Sequence, residues 1–177
     1  MLGQVLRKSI FFIAVLIVGL FAGFTQVFAF SILPGALSLP FGSFIELFQY
    51  EKEIFDTHVL ILYLVMLFAT GSWLFLWRHR YRMVDFYFVL GAFLCVIQEI
   101  VLSYEGHYKV KSLLRTYALT NFPGPDWHSL REELAYFMYF HFITNFVGFI
   151  LLLAALYRAT STKEPTRKTT LALSAKS

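Results

Sequence analysis

The sequence predicts an all-α membrane protein, one bundle of four transmembrane helices with both termini cytoplasmic. Three observations carry this. First, 58% of the 177 residues are hydrophobic and only 15% are charged, with a mean hydropathy of +0.65; a soluble domain averages about 45–50% apolar and about 25% charged. Second, four apolar runs, near residues 10–33, 58–77, 84–103 and 134–157, are each long enough to cross about 30 Å of hydrocarbon. Third, Arg7 and Lys8, then Arg78, Arg80 and Arg82, then Arg158, Lys163, Arg167 and Lys168 all fall on one side of a four-crossing chain. Basic residues concentrate on the cytoplasmic side, which fixes the orientation. The expected location is a bacterial inner membrane, as a multi-pass protein.

The first run is too long for the apolar region of a signal peptide, and Val27-Phe28-Ala29 is a poor cleavage site. It reads as helix 1, ended by Pro34, Gly35 and Pro40. Its Gly19 and Gly23 form a small-xxx-small pair that admits a neighbouring helix, in this bundle or in a partner subunit. Residues 41–57 read as an acidic outer loop, with a short interfacial helix around Ile45–Phe48. Helix 2 follows from His58 and closes in the basic turn Arg78–Arg82. Helix 3 stacks Gly91, Cys95 and Glu99 on one face, since they lie four residues apart. Residues 104–133 read as a long loop, amphipathic at 108–117, with a turn cluster at 121–126. Ser129-Leu130-Arg131-Glu132 matches a capping box, so helix 4 begins before it enters the membrane. Residues 1–158 thus form one transmembrane domain, and 159–177, rich in Ser, Thr and Lys, a disordered cytoplasmic tail.

Composition also excludes. With one cysteine, Cys95, neither an intrachain disulfide, a Cys-pair metal site nor a dithiol redox centre can be built. The formal charge of +4 belongs to topology and not to nucleic acid. No cofactor motif is present, and no cofactor is expected. The partners expected are the bilayer, an apolar small molecule, and a further membrane subunit or second copy docking through Gly19 and Gly23.

The candidate site comes from depth. Helix 4 carries His141, Thr144, Asn145 and Gly148 at three- and four-residue spacing, a polar or small stripe in an apolar helix. His141 lies about 10 Å below Leu134, at 1.5 Å per residue. Gln98 and Glu99 lie about 6–9 Å below Tyr104. Gln26 and His58 fall in the outer halves of helices 1 and 2. The intramembrane polar residues thus share one depth zone near the outer leaflet, where they can converge on a pocket rimmed by Glu105 and His107. Ionisable groups inside a span are expensive and usually functional. Glu99 and His141 are therefore the expected catalytic pair, because a desolvated carboxylate–imidazole pair can move a proton. Gln26, His58, Gln98, Asn145 and His107 are the expected substrate-binding residues. The alternative for the pair is an interhelical clasp. His58, Glu99, His107 and His141 are ligand types for iron, copper or zinc, but no two histidines stand at helical ligand spacing, so no metal is expected.

Gly23-Phe24, Phe28-Ala29-Phe30 and Leu33-Pro34-Gly35-Ala36-Leu37 resemble the end of the first helix in the anthrone-oxygenase-like family of membrane proteins. Trp127 and Tyr139-Phe140-His141 are similar to that family's Trp and aromatic–His opening of the fourth helix. The resemblance implies a four-helix bundle. It also implies oxygenation of an activated aromatic without a recognised metal or flavin, with Trp127 near the substrate. Such chemistry needs a base and a dry pocket for substrate and O₂. The leading expectation is a small membrane oxygenase or related oxidoreductase acting on an apolar aromatic, quinone or lipid-like molecule. The alternatives are a non-catalytic subunit of a larger membrane complex and a lipid-binding protein. An enclosed cavity lined by His141, Glu99 and Gln26 would favour the first or the third, and a polar cluster fully consumed in mutual hydrogen bonds the second.

Overall fold

The computed structural model describes residues 2–104, 112, 115–119 and 125–161. Among them the protein is helical throughout, without a strand. Helix α1 spans Leu2–Val27, passes through a π-helical turn at Phe28–Ile32 and continues as α2, Leu33–Leu37. Helix α3 spans Phe41–Leu76, α4 Val84–Leu102 and α5 Trp127–Ser161. Four of these segments are long and apolar enough to cross a membrane: Lys8–Leu37, His58–Leu76, Val84–Leu102 and Trp127–Ser161.

The helices run up, down, up, down. Helix α1 packs on α3 and α5, and α4 packs on α3 and α5. Helices α1 and α4 are therefore one diagonal of the bundle and α3 and α5 the other. Each helix turns a stripe of period near 3.5 to the axis. In α4 the buried positions are Asp85, Val89, Ala92, Val96 and Glu99. In α3 they include Tyr63, Met66, Thr70, Trp73 and Trp77. Such a repeat keeps a seam aligned along packed helices. Where lipid is as apolar as the side chains, close packing and not water exclusion holds helices together. The glycines show it. A Cβ on Gly148 would stand 3.2 Å from Cys95 Cβ, and one on Gly91 3.0 Å from Leu151 Cδ1.

Three elements depart from the sequence expectation. Helix 1 does not end at Pro34. Proline lacks the N–H that an α-helix needs and its ring clashes with the carbonyl four residues back. The π turn relieves this: Leu33 N–H donates to Phe28 O, five residues back, and the helix continues to Leu37. Residues 41–57 are not a loop with a short interfacial helix. They are the first half of the 36-residue α3, which Pro40 precedes at its N-cap position. At about 54 Å, α3 is far longer than a bilayer core. Ser129 is not a cap: α5 starts at Trp127, and Leu130 N–H donates to Asp126 O. Of the amphipathic 108–117 segment, residues 112 and 115–117 are described, and they are helical. The rest of that segment, most of the 121–126 turn and the tail 162–177 lie outside the described residues.

The N-terminal ends of α3 and α5 and the whole of α2 build a second core at one end of the bundle. Leu33, Ala36, Phe44, Ile45, Trp127, Leu130, Leu134 and Met138 pack there. Phe44 and Trp127 meet edge to face at 5.0 Å, and the Arg131 guanidinium stands 5.3 Å from the Trp127 ring. The first core, from Phe11 and Trp77 up to Phe21 and Val96, fills the spans. The polar residues of the site lie between the two.

Candidate functional site: a buried carboxylate shared by two diagonal helices

Helices α4 and α5 are antiparallel and stand in close contact where Gly148 faces Cys95. One turn along α4 from Cys95 is Glu99; two turns back along α5 from Gly148 is His141. The stripes on the two helices thus deliver a carboxylate and an imidazole to one level. His141 Nδ1 lies 2.7 Å from Glu99 Oε1. That distance requires a proton between them, since two lone pairs would repel. Both residues are buried, Glu99 at 1% and His141 at 6% exposure.

A third residue completes the arrangement. The Tyr63 hydroxyl, on α3, donates to the same Glu99 Oε1 at 3.1 Å and lies 2.6 Å from Ser103 Oγ. Tyr63 is itself buried and rests edge to face on Phe21 at 5.3 Å. Glu99 Oε1 is therefore reached from both ends of the α3–α5 diagonal. Its second oxygen, Oε2, is buried and has no hydrogen-bond partner among the described residues. Beside the pair, Asn145 Nδ2 donates to His141 O at 2.8 Å, Thr144 is buried, and the Thr25 hydroxyl donates to Ala22 O. A π-helical turn adjoins this layer on two sides, at Phe28–Ile32 and at residues 103–104. Such turns occur disproportionately at functional sites.

Of the residues expected here, the structure brings together Glu99, His141 and Asn145. Gln26, Gln98 and His58 share the depth but not the direction, and all three are exposed. Gln26 and Gln98 each stand one position, about 100°, from an inward residue, Thr25 and Glu99. Trp127 is buried, but in the second core. Glu105 and His107 lie outside the described residues. No third His, Cys, Asp or Glu gathers with Glu99 and His141 among the described residues. Gly19 is occupied within the bundle: a Cβ there would stand 2.6 Å from Phe149 Cε2, so this half of the small-residue pair seats α5 and is not open to a partner. Gly23 has open space around it.

Tyr63 is the functional candidate that sequence reasoning missed. The signal was present as the spacing of Tyr63, Met66, Thr70, Trp73 and Trp77, whose alternation of three and four marks the inward stripe of α3. An open apolar groove of about 1120 Å³ runs along the outside of α3, past Ile61, Phe68, Phe93 and Ile97; neither Glu99 nor His141 lines it.

Four helices long and apolar enough to cross a membrane surround a buried carboxylate–imidazole–phenol cluster, an all-helical architecture compatible with a multi-pass membrane protein. Beyond that architecture, no protein-family profile, curated protein or solved structure matches the chain.

Proposed function

We propose that Glu99 and His141 form an intramembrane acid–base centre that moves a proton to or from a lipid-soluble substrate. The observation that carries this is Glu99 Oε2, buried and unpaired among the described residues beside a fully engaged Oε1. A clasp evolved only to hold helices would use both oxygens, because an unsatisfied buried acceptor costs about 1–3 kcal/mol. An unsatisfied group in a buried network calls for a reason, and a catalytic role or a bound water, ion or ligand each supplies one. The shared proton leaves one partner of the pair ready to accept a proton and the other ready to give one. Burial among apolar side chains strengthens that exchange by keeping competing water out.

The orientation that suits the basic turn Arg78–Arg82 puts both termini in the cytoplasm and the site near the outer leaflet. A substrate that reaches such a site from the bilayer is apolar. The resemblance to anthrone-oxygenase-like proteins gives the chemistry a specific form. The centre removes a proton from an activated benzylic C–H of an anthrone-type substrate. The resulting carbanion adds O₂ to give a peroxide that takes back the proton and loses water to leave the quinone. A second reading, a non-catalytic subunit, is favoured by the bonds from Tyr63 and His141 to one oxygen, which tie α3, α4 and α5 together.

The test is a strain lacking the protein and complemented with wild type, Glu99→Gln or His141→Ala at equal abundance. Lipid-soluble extracts are compared by mass spectrometry. A species that wild type restores and both variants fail to restore is the expected result. Extracts identical across all three would leave the clasp.

A further inference from the structure

The site has a continuous hydrogen-bonded connection to the end of the spans. From the bundle axis outward it runs His141 Nδ1, Glu99 Oε1, Tyr63 OH and Ser103 Oγ, with separations of 2.7, 3.1 and 2.6 Å. Burial falls along it. Glu99 is 1% exposed and Tyr63 8%, Ser103 is half-buried, and its neighbour Tyr104 is 78% exposed. Helix α4 takes a π form at residues 103–104, and Tyr63 bonds the hydroxyl carried by that turn. Every atom in the row is a hydroxyl, carboxylate or ring nitrogen able both to take and to give a proton.

We infer that Ser103 and Tyr63 are relay residues, a proton path that connects the buried Glu99–His141 pair to the water beyond the end of α4. The Tyr63 hydroxyl can only donate to an ionised Glu99, and this fixes the sense of the row. Ser103 O–H then donates to the Tyr63 oxygen. One inward transfer is balanced atom by atom. A proton from water at the helix end joins the Ser103 oxygen, the Ser103 proton passes to Tyr63, and the Tyr63 proton passes to Glu99 Oε1. Both hydroxyls are left intact and one proton has been delivered. Rotation of the two O–H bonds resets the row. Outward transfer is the reverse, with both O–H bonds turned the other way. Protonated Glu99 gives its proton to the Tyr63 oxygen, Tyr63 gives its own to Ser103 and Ser103 gives its own to water. This frees a centre that has taken a proton from an apolar substrate. Around the row stand apolar neighbours such as Phe21 and Val96, which carry no proton.

This inference rests on the reading that the pair exchanges protons, and its test separates the two. The full chain, with ¹⁵N-labelled histidine, is placed in lipid nanodiscs. Exchange of the proton shared by His141 Nδ1 and Glu99 is followed by NMR after transfer to D₂O, the signal being identified by its loss in His141→Ala. That proton exists in every state compatible with the 2.7 Å contact. Tyr63→Phe keeps the ring and its contact with Phe21 but removes the hydroxyl. It is expected to slow exchange by about tenfold or more, the effect of roughly one hydrogen bond's worth of barrier, even though loss of the hydroxyl's bond lowers the melting temperature slightly. Ser103→Ala is expected to slow it less, because water can approach from the helix end. Exchange at the wild-type rate in Tyr63→Phe overturns the path. So does faster exchange with a lowered melting temperature, which would make Tyr63 a clasp. If exchange slows in Tyr63→Phe while Glu99→Gln leaves the lipid-soluble extract unchanged, the path stands and the acid–base reading falls.

Discussion

Helices α4 and α5 are joined twice by a carboxylate and a cation-forming side chain, and the two junctions differ in kind. Near the start of α4, Asp85 bonds Arg158 Nε. Further along, Glu99 bonds His141. The Asp85 side chain is buried, yet its partner's side chain is 54% exposed, so the charge reaches out of the bundle. At Glu99 and His141 both side chains are buried, at 1% and 7% exposure. Arginine is always charged and sits beside its carboxylate as a permanent ion. Histidine can change charge and shares a proton. Asp85 lies in the first turn of α4, where a negative charge suits the helix dipole; Glu99 lies at the far end, where it does not. One junction holds a permanent charge; the other joins two groups that can pass a proton between them.

That contrast orders the expected effects of mutation, each read as unfolding free energy in detergent micelles. The largest belongs to His141→Ala, which strands a buried carboxylate; a loss of about 3–5 kcal/mol is expected, and Glu99→Gln should restore part of it in the double variant. If the double variant is no more stable than His141→Ala, the carboxylate was not stranded. Gly148→Ala comes next. Its new Cβ would stand 3.2 Å from Cys95 Cβ, an atom that cannot swing away. Prising α4 from α5 should cost about 1–3 kcal/mol and lengthen the Glu99–His141 contact, while Gly23→Ala, in open space, should be close to neutral. Tyr63→Phe removes one interhelical hydrogen bond and should cost about 0.6–1.7 kcal/mol. Arg158→Ala should cost about 1 kcal/mol or less, because at the half-exposed Arg158 end water can reach the Asp85 carboxylate once the guanidinium is gone, and the loss should shrink further in high salt. A salt-insensitive loss as large as that of His141→Ala would erase the distinction between the junctions.

Much of this arrangement is written in the sequence at the level of depth, and little of it at the level of direction. The four spans, the basic turn and α4 could be read off because apolar length and charge position are properties of single segments. The level of Glu99, His141 and Asn145 followed from residue counts along each helix. Gln26, Gln98 and His58 share that level but are exposed, because depth alone does not say which way a side chain points. The period near 3.5 says it, and on α3 it would have picked Tyr63. Helix α3 itself was cut short because Glu51, Glu53 and Asp56 are poor membrane residues. The chain instead projects a helix beyond its span and stabilises it against α2 and α5 through Phe44 and Trp127. The π turn before Pro34 was hidden for a related reason. A proline marks a helix end only when nothing upstream widens to accommodate it.

The central claim is that the Glu99–His141 junction does chemistry and the Asp85–Arg158 junction does not. The direct measurement is ¹⁸O₂ labelling of the complemented strains, with wild type, Glu99→Gln and Arg158→Ala at equal abundance, followed by mass spectrometry of the lipid-soluble extract. The account expects a labelled product with wild type and Arg158→Ala that is lost in Glu99→Gln. Labelled product at the wild-type level in Glu99→Gln, or its loss in both variants alike, would contradict it.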